Sequence, residues 1–277
     1  ESLRVRLEAP LVVATFGGTG TGKSSLVNAL VGSECTRSGR ERPTTTRPVL
    51  IAHQDAELQS LDLPLDEFEI KRIESAVLRD VVILDCPDPD TNRTAETGDR
   101  HTGSNLEILR RMLPHCDVLL YASTQQKYRS ARVIDELDVA AAGCRLIFVQ
   151  THADQDSDIR EDWRELLSER YDVPEVYFVD SVRALTEQQA GQRPSGDFAR
   201  LQDLLTTRLA SVDRVQIRRA NLLDLTAATI VRCREQLEDT EPAIRTLDSS
   251  LSEHGQKLTV AMSGELREQL QTCRHLW

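Results

Sequence analysis

The stretch LVVATFGGTGTGKSSLVNALV, residues 11–31, decides the fold. Its first six residues are apolar and partly β-branched and stop at glycine, which reads as a buried strand. Leu26, Val27 and Leu30 then recur at helical spacing. Between the two, Gly17-Gly18-Thr19-Gly20-Thr21-Gly22-Lys23-Ser24 matches GxxxxGK[ST] without departure. Glycine permits the close approach of an anion to the backbone and the positive φ angles of such a turn. Successive N–H groups then converge on phosphate at a helix N-terminus. By this reading Gly17, Gly20, Gly22, Lys23, Ser24 and Ser25 form a phosphate-binding loop; Lys23 reaches β- and γ-oxygens, and the Ser24 hydroxyl ligates Mg²⁺.

Outward from this loop, apolar runs at 48–53, 81–85, 117–122, 145–150 and 175–179 alternate with amphipathic helical patterns. That alternation predicts an α/β three-layer sandwich with a mostly parallel sheet covered on both faces. The short link between residues 53 and 81 leaves the second strand as a candidate antiparallel edge. Residues 55–79 are acidic and carry no clear pattern. From about Val212 the strand signals vanish. Residues 213–238 read as one helix, with a break expected near "DTEP", where Pro242 suits the first turn of another. Leu247, Leu251, Leu258, Met262, Leu266 and Leu270 lie along one stripe, so the expected tail is a helical hairpin or part of a bundle.

The chain has 277 residues and a formal net charge of −11, with charges after residue 212 nearly cancelling. That balance argues against a phosphate-backbone binder, and 4% aromatic residues argue against stacking platforms, so no nucleic-acid partner is expected. The 6 cysteines are scattered with no CxxC pair, so neither a zinc site nor a disulfide framework is suggested, and a reducing, cytoplasmic compartment fits best. No apolar run approaches the roughly 18 residues of a membrane span. Because the chain opens at Glu1 without methionine and stops at Trp277 inside a helical pattern, a fragment of a longer parent is expected.

The order "RPTTTRP", "VVILDCPD", "IFVQTHAD", "FVDSVRAL" after the phosphate loop resembles the GTPases of the translation-factor-related class over residues 11 to about 210. The Thr-rich stretch and the helical tail resemble dynamin-like and Era-like bacterial members. The resemblance implies a GTPase domain over 1–211 and a helical extension over 212–277. It implies GTP and GDP as ligands with Mg²⁺, and Thr45 or Thr46 closing over the metal and γ-phosphate. Asp85 stands as the acid near Mg²⁺. Thr151, His152 and Asp154 stand where the family carries [NT]KxD, so Asp154 would accept hydrogen bonds from guanine N1 and N2, donors that adenine lacks. Ser181 and Val182 stand where backbone groups read guanine O6.

Two departures matter. Asp88 replaces the glycine of the second switch loop, and His152 replaces the lysine whose stem covers the base. No glutamine follows "DCPD", where Pro89 and Asp90 stand, and Gly20 occupies the loop position that supplies cation-recruiting side chains in relatives. Arg42 and Arg47 flank the threonines as candidate charge stabilisers. Slow intrinsic hydrolysis is expected, with self-association or a protein partner through the C-terminal helices. A pseudo-GTPase, a structural interaction protein, and an ATP-using enzyme remain open as alternatives.

Overall fold

The computed structural model describes residues 9–37, 48–61, 63–87, 107, 111–130, 137, 143–209 and 213–275. Among these, seven strands form one sheet: β1 (Leu11–Phe16), β2 (Val49–Ala52), β3 (Glu69–Arg72), β4 (Val81–Asp85), β5 (Val118–Ser123), β6 (Arg145–Gln150) and β7 (Val176–Phe178). Their order is β3-β2-β4-β1-β5-β6-β7. β1 lies between β4 and β5 and runs parallel to both, and β6 and β7 continue the parallel set. β2 is antiparallel to β4, with Val49 opposite Asp85.

The expected antiparallel second strand is present, but it is not the edge. β3 pairs outside it, parallel to β2. Its sequence, EIKR, is mostly exposed and offers no apolar period to read. Charged side chains on such an edge discourage pairing with another chain.

Alternate residues of each strand feed two cores, one on each face of the sheet. Leu11, Val13, Ile83, Val118 and Leu120 face α1 (Lys23–Val31), whose Leu26, Val27 and Leu30 are fully buried among them. Val12, Phe16, Leu84, Leu119, Tyr121 and Phe148 face α2 (Arg160–Ser168). There Trp163, fully buried, meets Tyr121 and Phe148 edge-on at centroid separations of 5.4 and 5.9 Å. A chain poor in aromatics thus places several of them in one cluster. Two further helices, α3 (Ser181–Gln189) and α4 (Gly196–Asp203), complete the layers, and α4 ends in a π-helical turn over Leu204–Arg208. The sequence analysis anticipated α4 but not α3. Gln188 of α3 donates to Ala29 O of α1 at 2.6 Å.

The C-terminal element is one helix, α5 (Asp213–His275), with Pro242 inside it. This corrects the expected hairpin or bundle. A proline within a helix removes one N–H and costs about 3 kcal/mol, which a helix this long tolerates. Pairs at i,i+4 brace both sides: Arg234–Glu238 at 3.5 Å, Arg245–Glu241 at 2.7 Å and Lys257–Glu253 at 2.7 Å. No helix among the described residues is long and apolar enough to cross a membrane.

The chain divides into two compact units, Glu1–Leu225 and Thr226–Trp277. In the first, the opening turns of α5 join the sheet. Ile217 is buried, and Arg218 grips Asp117 with Nε and Nη2, both at 2.9 Å, while reaching Ala9 O and Pro10 O. Asp117 Oδ2 also accepts from Val12 N at 2.9 Å, at the base of β1. In the second unit, Leu247, Leu251, Leu258, Met262, Leu266 and Leu270 are all exposed along the helix.

Replacing Trp163 with alanine is expected to destabilise the fold by about 3–5 kcal/mol, because both the transfer and the cavity terms apply at a fully buried ring. Urea unfolding of the nucleotide-free protein checks this; a loss below about 1 kcal/mol would mean that the cluster collapses around the gap.

Candidate functional site

The phosphate loop leaves β1 at the carboxyl end of the sheet, where open α/β sheets bind ligands. Gly17 has φ 148° and passes directly beneath β5; a Cβ there would stand 2.1 Å from Ala122 O. Gly20 and Gly22 have φ 70° and 75°. Gly22 is the N-cap of α1 and has no side chain with which to cap it. Backbone amides at a helix N-terminus point at a ready anion site. Lys23, almost wholly buried, donates from Nζ to Gly17 O at 2.8 Å and Gly18 O at 3.0 Å, which holds its charge at the mouth of the loop. Ser24 is buried and Ser25 half-buried in the same turn.

Asp85 ends β4 and is fully buried. Its Oδ1 lies 3.4 Å from Thr15 Oγ1, whereas Oδ2 has no hydrogen-bond partner. Burial raises its pKa to about 6; the Ser24 hydroxyl, the Lys23 ammonium, Thr36 and Thr15, in that order, hold it from rising further. A desolvated carboxylate with an unsatisfied oxygen, near a hydroxyl at the foot of a phosphate loop, fits Mg²⁺, which is bound by one or two carboxylates plus hydroxyl, water and phosphate oxygens. Thr45 and Thr46, expected to close over that metal, lie outside the described residues, as do Arg42, Arg47 and Asp88.

The second half of the site follows β6. Thr151 is buried and its hydroxyl donates to Thr21 O of the phosphate loop at 2.8 Å. With that proton committed, the contact of 2.9 Å between Thr151 Oγ1 and His152 Nδ1 makes the imidazole the donor. His152 adopts φ 61°, the one positive φ at a non-glycine among the described residues. Its ring lies against the loop, with Cε1 3.2 Å from where a Gly22 Cβ would stand. Asp154 is exposed and accepts from Gln155 Nε2 at 2.8 Å. Ala153 N donates to Val179 O at 3.2 Å, which joins this turn to the loop before α3. At the head of α3, Asp180 caps by accepting from Arg183 N at 2.9 Å. Ser181 is buried with an unpartnered Oγ, and Val182 is 66% exposed.

The phosphate loop, Asp85 and the Thr151–Asp154 turn therefore meet at one end of the sheet, with Ser181 in the adjoining loop. The sequence analysis did not single out Thr15, Asn28, Thr36 or Lys127. Asn28 Oδ1 accepts from Thr36 N and Thr36 Oγ1, and Thr36 Oγ1 also lies 3.2 Å from Ser24 O. Lys127 Nζ donates to Thr19 O. Lys127 stands four residues beyond the carboxyl end of β5, and the rule that ligands gather at that end was the signal available for it.

Together the mostly parallel sheet, the loop and the two flanking turns have the form of a P-loop GTPase domain. Residues 12–142, slightly under half of the chain, match the family described as 50S ribosome-binding GTPase, which supports binding of a guanine nucleotide. No curated protein matches the sequence significantly. Among solved structures, an oligomerised bacterial dynamin pair, described as a mechanism for long-range sensing and tethering of membranes, matches at 15% identity and TM-score 0.51. That match covers 95% of this chain and 47% of the dynamin. Era from Aquifex aeolicus bound to GDP.AlF4- matches at 17% identity and TM-score 0.44, over 67% of this chain and 57% of Era. The first of these likenesses shows the fold, and the chain spans about half the length of that dynamin.

Asp85 sets a pH dependence. Its folded pKa lies above the usual carboxylate value, so its contribution to stability is fully present below about pH 4 and is lost as pH rises through about 6. In nucleotide-free protein with chelator, Asp85→Asn is expected to be more stable than wild type at pH 7.5 by on the order of 2 kcal/mol. The gain should disappear near pH 4. Thermal melts across this range check it; an offset equal at every pH would show that the carboxylate is not desolvated in solution.

Proposed function

We propose that this chain binds GTP with Mg²⁺ and hydrolyses it slowly to GDP and phosphate, using the exchange as a conformational switch. The observation that carries the reading is the glycine-capped N-terminus of α1, tied through Thr21 O and Thr151 Oγ1 to the turn bearing Asp154. One part is suited to phosphate and the other to a base, and they share a hydrogen bond.

In this mechanism the loop amides and Lys23 cradle the phosphates, and Asp154 takes the two guanine donors in place of Gln155. Ser24 and Asp85, with Thr45 or Thr46, would hold Mg²⁺, which would supply charge neutralisation to the phosphates. Phosphoryl transfer is largely positioning and electrostatics, so these parts suffice for slow turnover. Pro89 and Asp90 offer no water-orienting amide where a glutamine would stand, and this accounts for the expected slowness.

The exposed apolar stripe of α5 favours self-association or a protein partner as the read-out of the switch. A cytoplasmic setting is part of this proposal, with membrane association in a longer parent chain as its alternative.

Titration with fluorescent GDP, GTP and ATP analogues tests the reading beside Asp154→Ala. Guanine nucleotides should bind at least about a hundred-fold more tightly than ATP, and the variant should lose that preference. Equal binding of ATP, or an unaltered variant, would refute guanine reading. Turnover per molecule should fall sharply on dilution if self-association accelerates it; constant turnover would remove that part.

A further inference from the structure

The loop after β5, Thr124-Gln125-Gln126-Lys127-Tyr128-Arg129, is built rather than draped. Lys127 N and Tyr128 N both donate to Thr124 O, at 3.0 and 3.1 Å, closing a tight turn. Side chains then pin it to the segment that follows Asp154. Asp156 Oδ2 accepts from Gln125 N at 2.8 Å, and Gln125 Oε1 accepts from Ser157 N at 3.0 Å. Asp162 accepts from the Tyr128 hydroxyl and, at 2.9 Å, from Arg129 Nη2. From this fixed turn Lys127 extends to the Thr19 carbonyl in the phosphate loop. A lysine gives up rotamer freedom when held in one place, and a pinned turn limits what else must be ordered for such a reach.

The place that it reaches is specific. Lys23 Nζ rests on the carbonyls of Gly17 and Gly18, and in this motif that lysine serves the β- and γ-oxygens. Thr19 is the next residue, so Lys127 acts at the terminal-phosphate end of the loop. Gly17 and Gly20 on either side of it have positive φ, a conformation that glycine alone adopts readily.

We propose that Lys127 is a positioning residue for the terminal phosphate. It holds the Thr19–Gly20 turn so that the loop amides face a triphosphate, and it adds a second ammonium to a site that must offset concentrated negative charge. GDP lacks the terminal phosphate, so the effect falls on GTP and on turnover. The inference rests on the reading of this site as one for GTP.

The test uses the full chain with Lys127→Met and Lys127→Arg, measuring GDP and non-hydrolysable GTP-analogue affinity, kcat and thermal stability. Lys127→Met should weaken analogue binding and lower kcat, each by about ten-fold, while GDP affinity stays within about three-fold. Lys127→Arg should restore both, because it keeps the charge and a donor. Parallel loss of GDP and analogue affinity with unchanged kcat would reduce Lys127 to a structural tie and overturn the proposal, as would variants indistinguishable from wild type. Should Lys127→Met melt far below wild type, an Arg variant that melts normally yet hydrolyses no faster than Lys127→Met also overturns it. Wild-type protein that binds no guanine nucleotide defeats the functional reading itself, whereas normal wild-type binding and turnover with silent variants defeats this inference alone.

Discussion

The arrangement depends on a contact that leaves no room for a side chain. Where β1 ends, the chain must turn over the neighbouring strand, and Gly17 passes so close to the Ala122 carbonyl that even a methyl group would overlap it. Everything in the phosphate site follows from that path. It points the Gly17 and Gly18 carbonyls at Lys23. It also brings α1 in with a glycine-capped N-terminus. Thr151, from β6, then meets the far side of the loop at Thr21. The site is largely backbone, and the sheet order that puts β1 between β4 and β5 is what assembles it.

Around this backbone sit groups that a stability-optimised fold would avoid. Asp85 is buried with one oxygen unsatisfied, Ser181 has an orphan hydroxyl, and His152 takes a left-handed conformation with a β-carbon. Each costs on the order of 1–3 kcal/mol without a ligand. Their concentration at one end of the sheet, opposite two well-packed cores, is the distribution expected where function opposes stability.

The legible part of this structure was the part governed by local physics. β1 and β4 stand out because strands buried on both faces are nearly continuously apolar, and the loop stands out because few residue types tolerate its geometry. β3 was hidden because EIKR at an exposed edge is held by backbone pairing with β2 and not by a hydrophobic pattern. α3 begins with a legible cap, Asp180, but buries only Ser181 and Ala184, too little for a helical period. Pro242 misled because its helix-starting preference is a local tendency, whereas a long helix spreads the loss of one hydrogen bond. Of the site, Lys23, Ser24, Asp85, Thr151 and Asp154 could be placed by motif. Lys127 could not, since its relation to Thr19 spans 108 residues and exists only once β5 lies beside β1.

The Arg218–Asp117 pair has a mechanical side. Asp117 begins the segment leading into β5, and its carboxylate is shared between the root of α5 and the backbone of Val12 in β1. Tension along the root of α5 therefore enters the sheet through Asp117 and the Ala9 and Pro10 carbonyls that Arg218 holds, at the amino ends of the two strands whose carboxyl ends carry the phosphate loop and the Lys127 turn. A β-strand is stiff along its axis, and the six residues of β1 span about 20 Å. Load and ligand are thus applied to opposite ends of the same short rod.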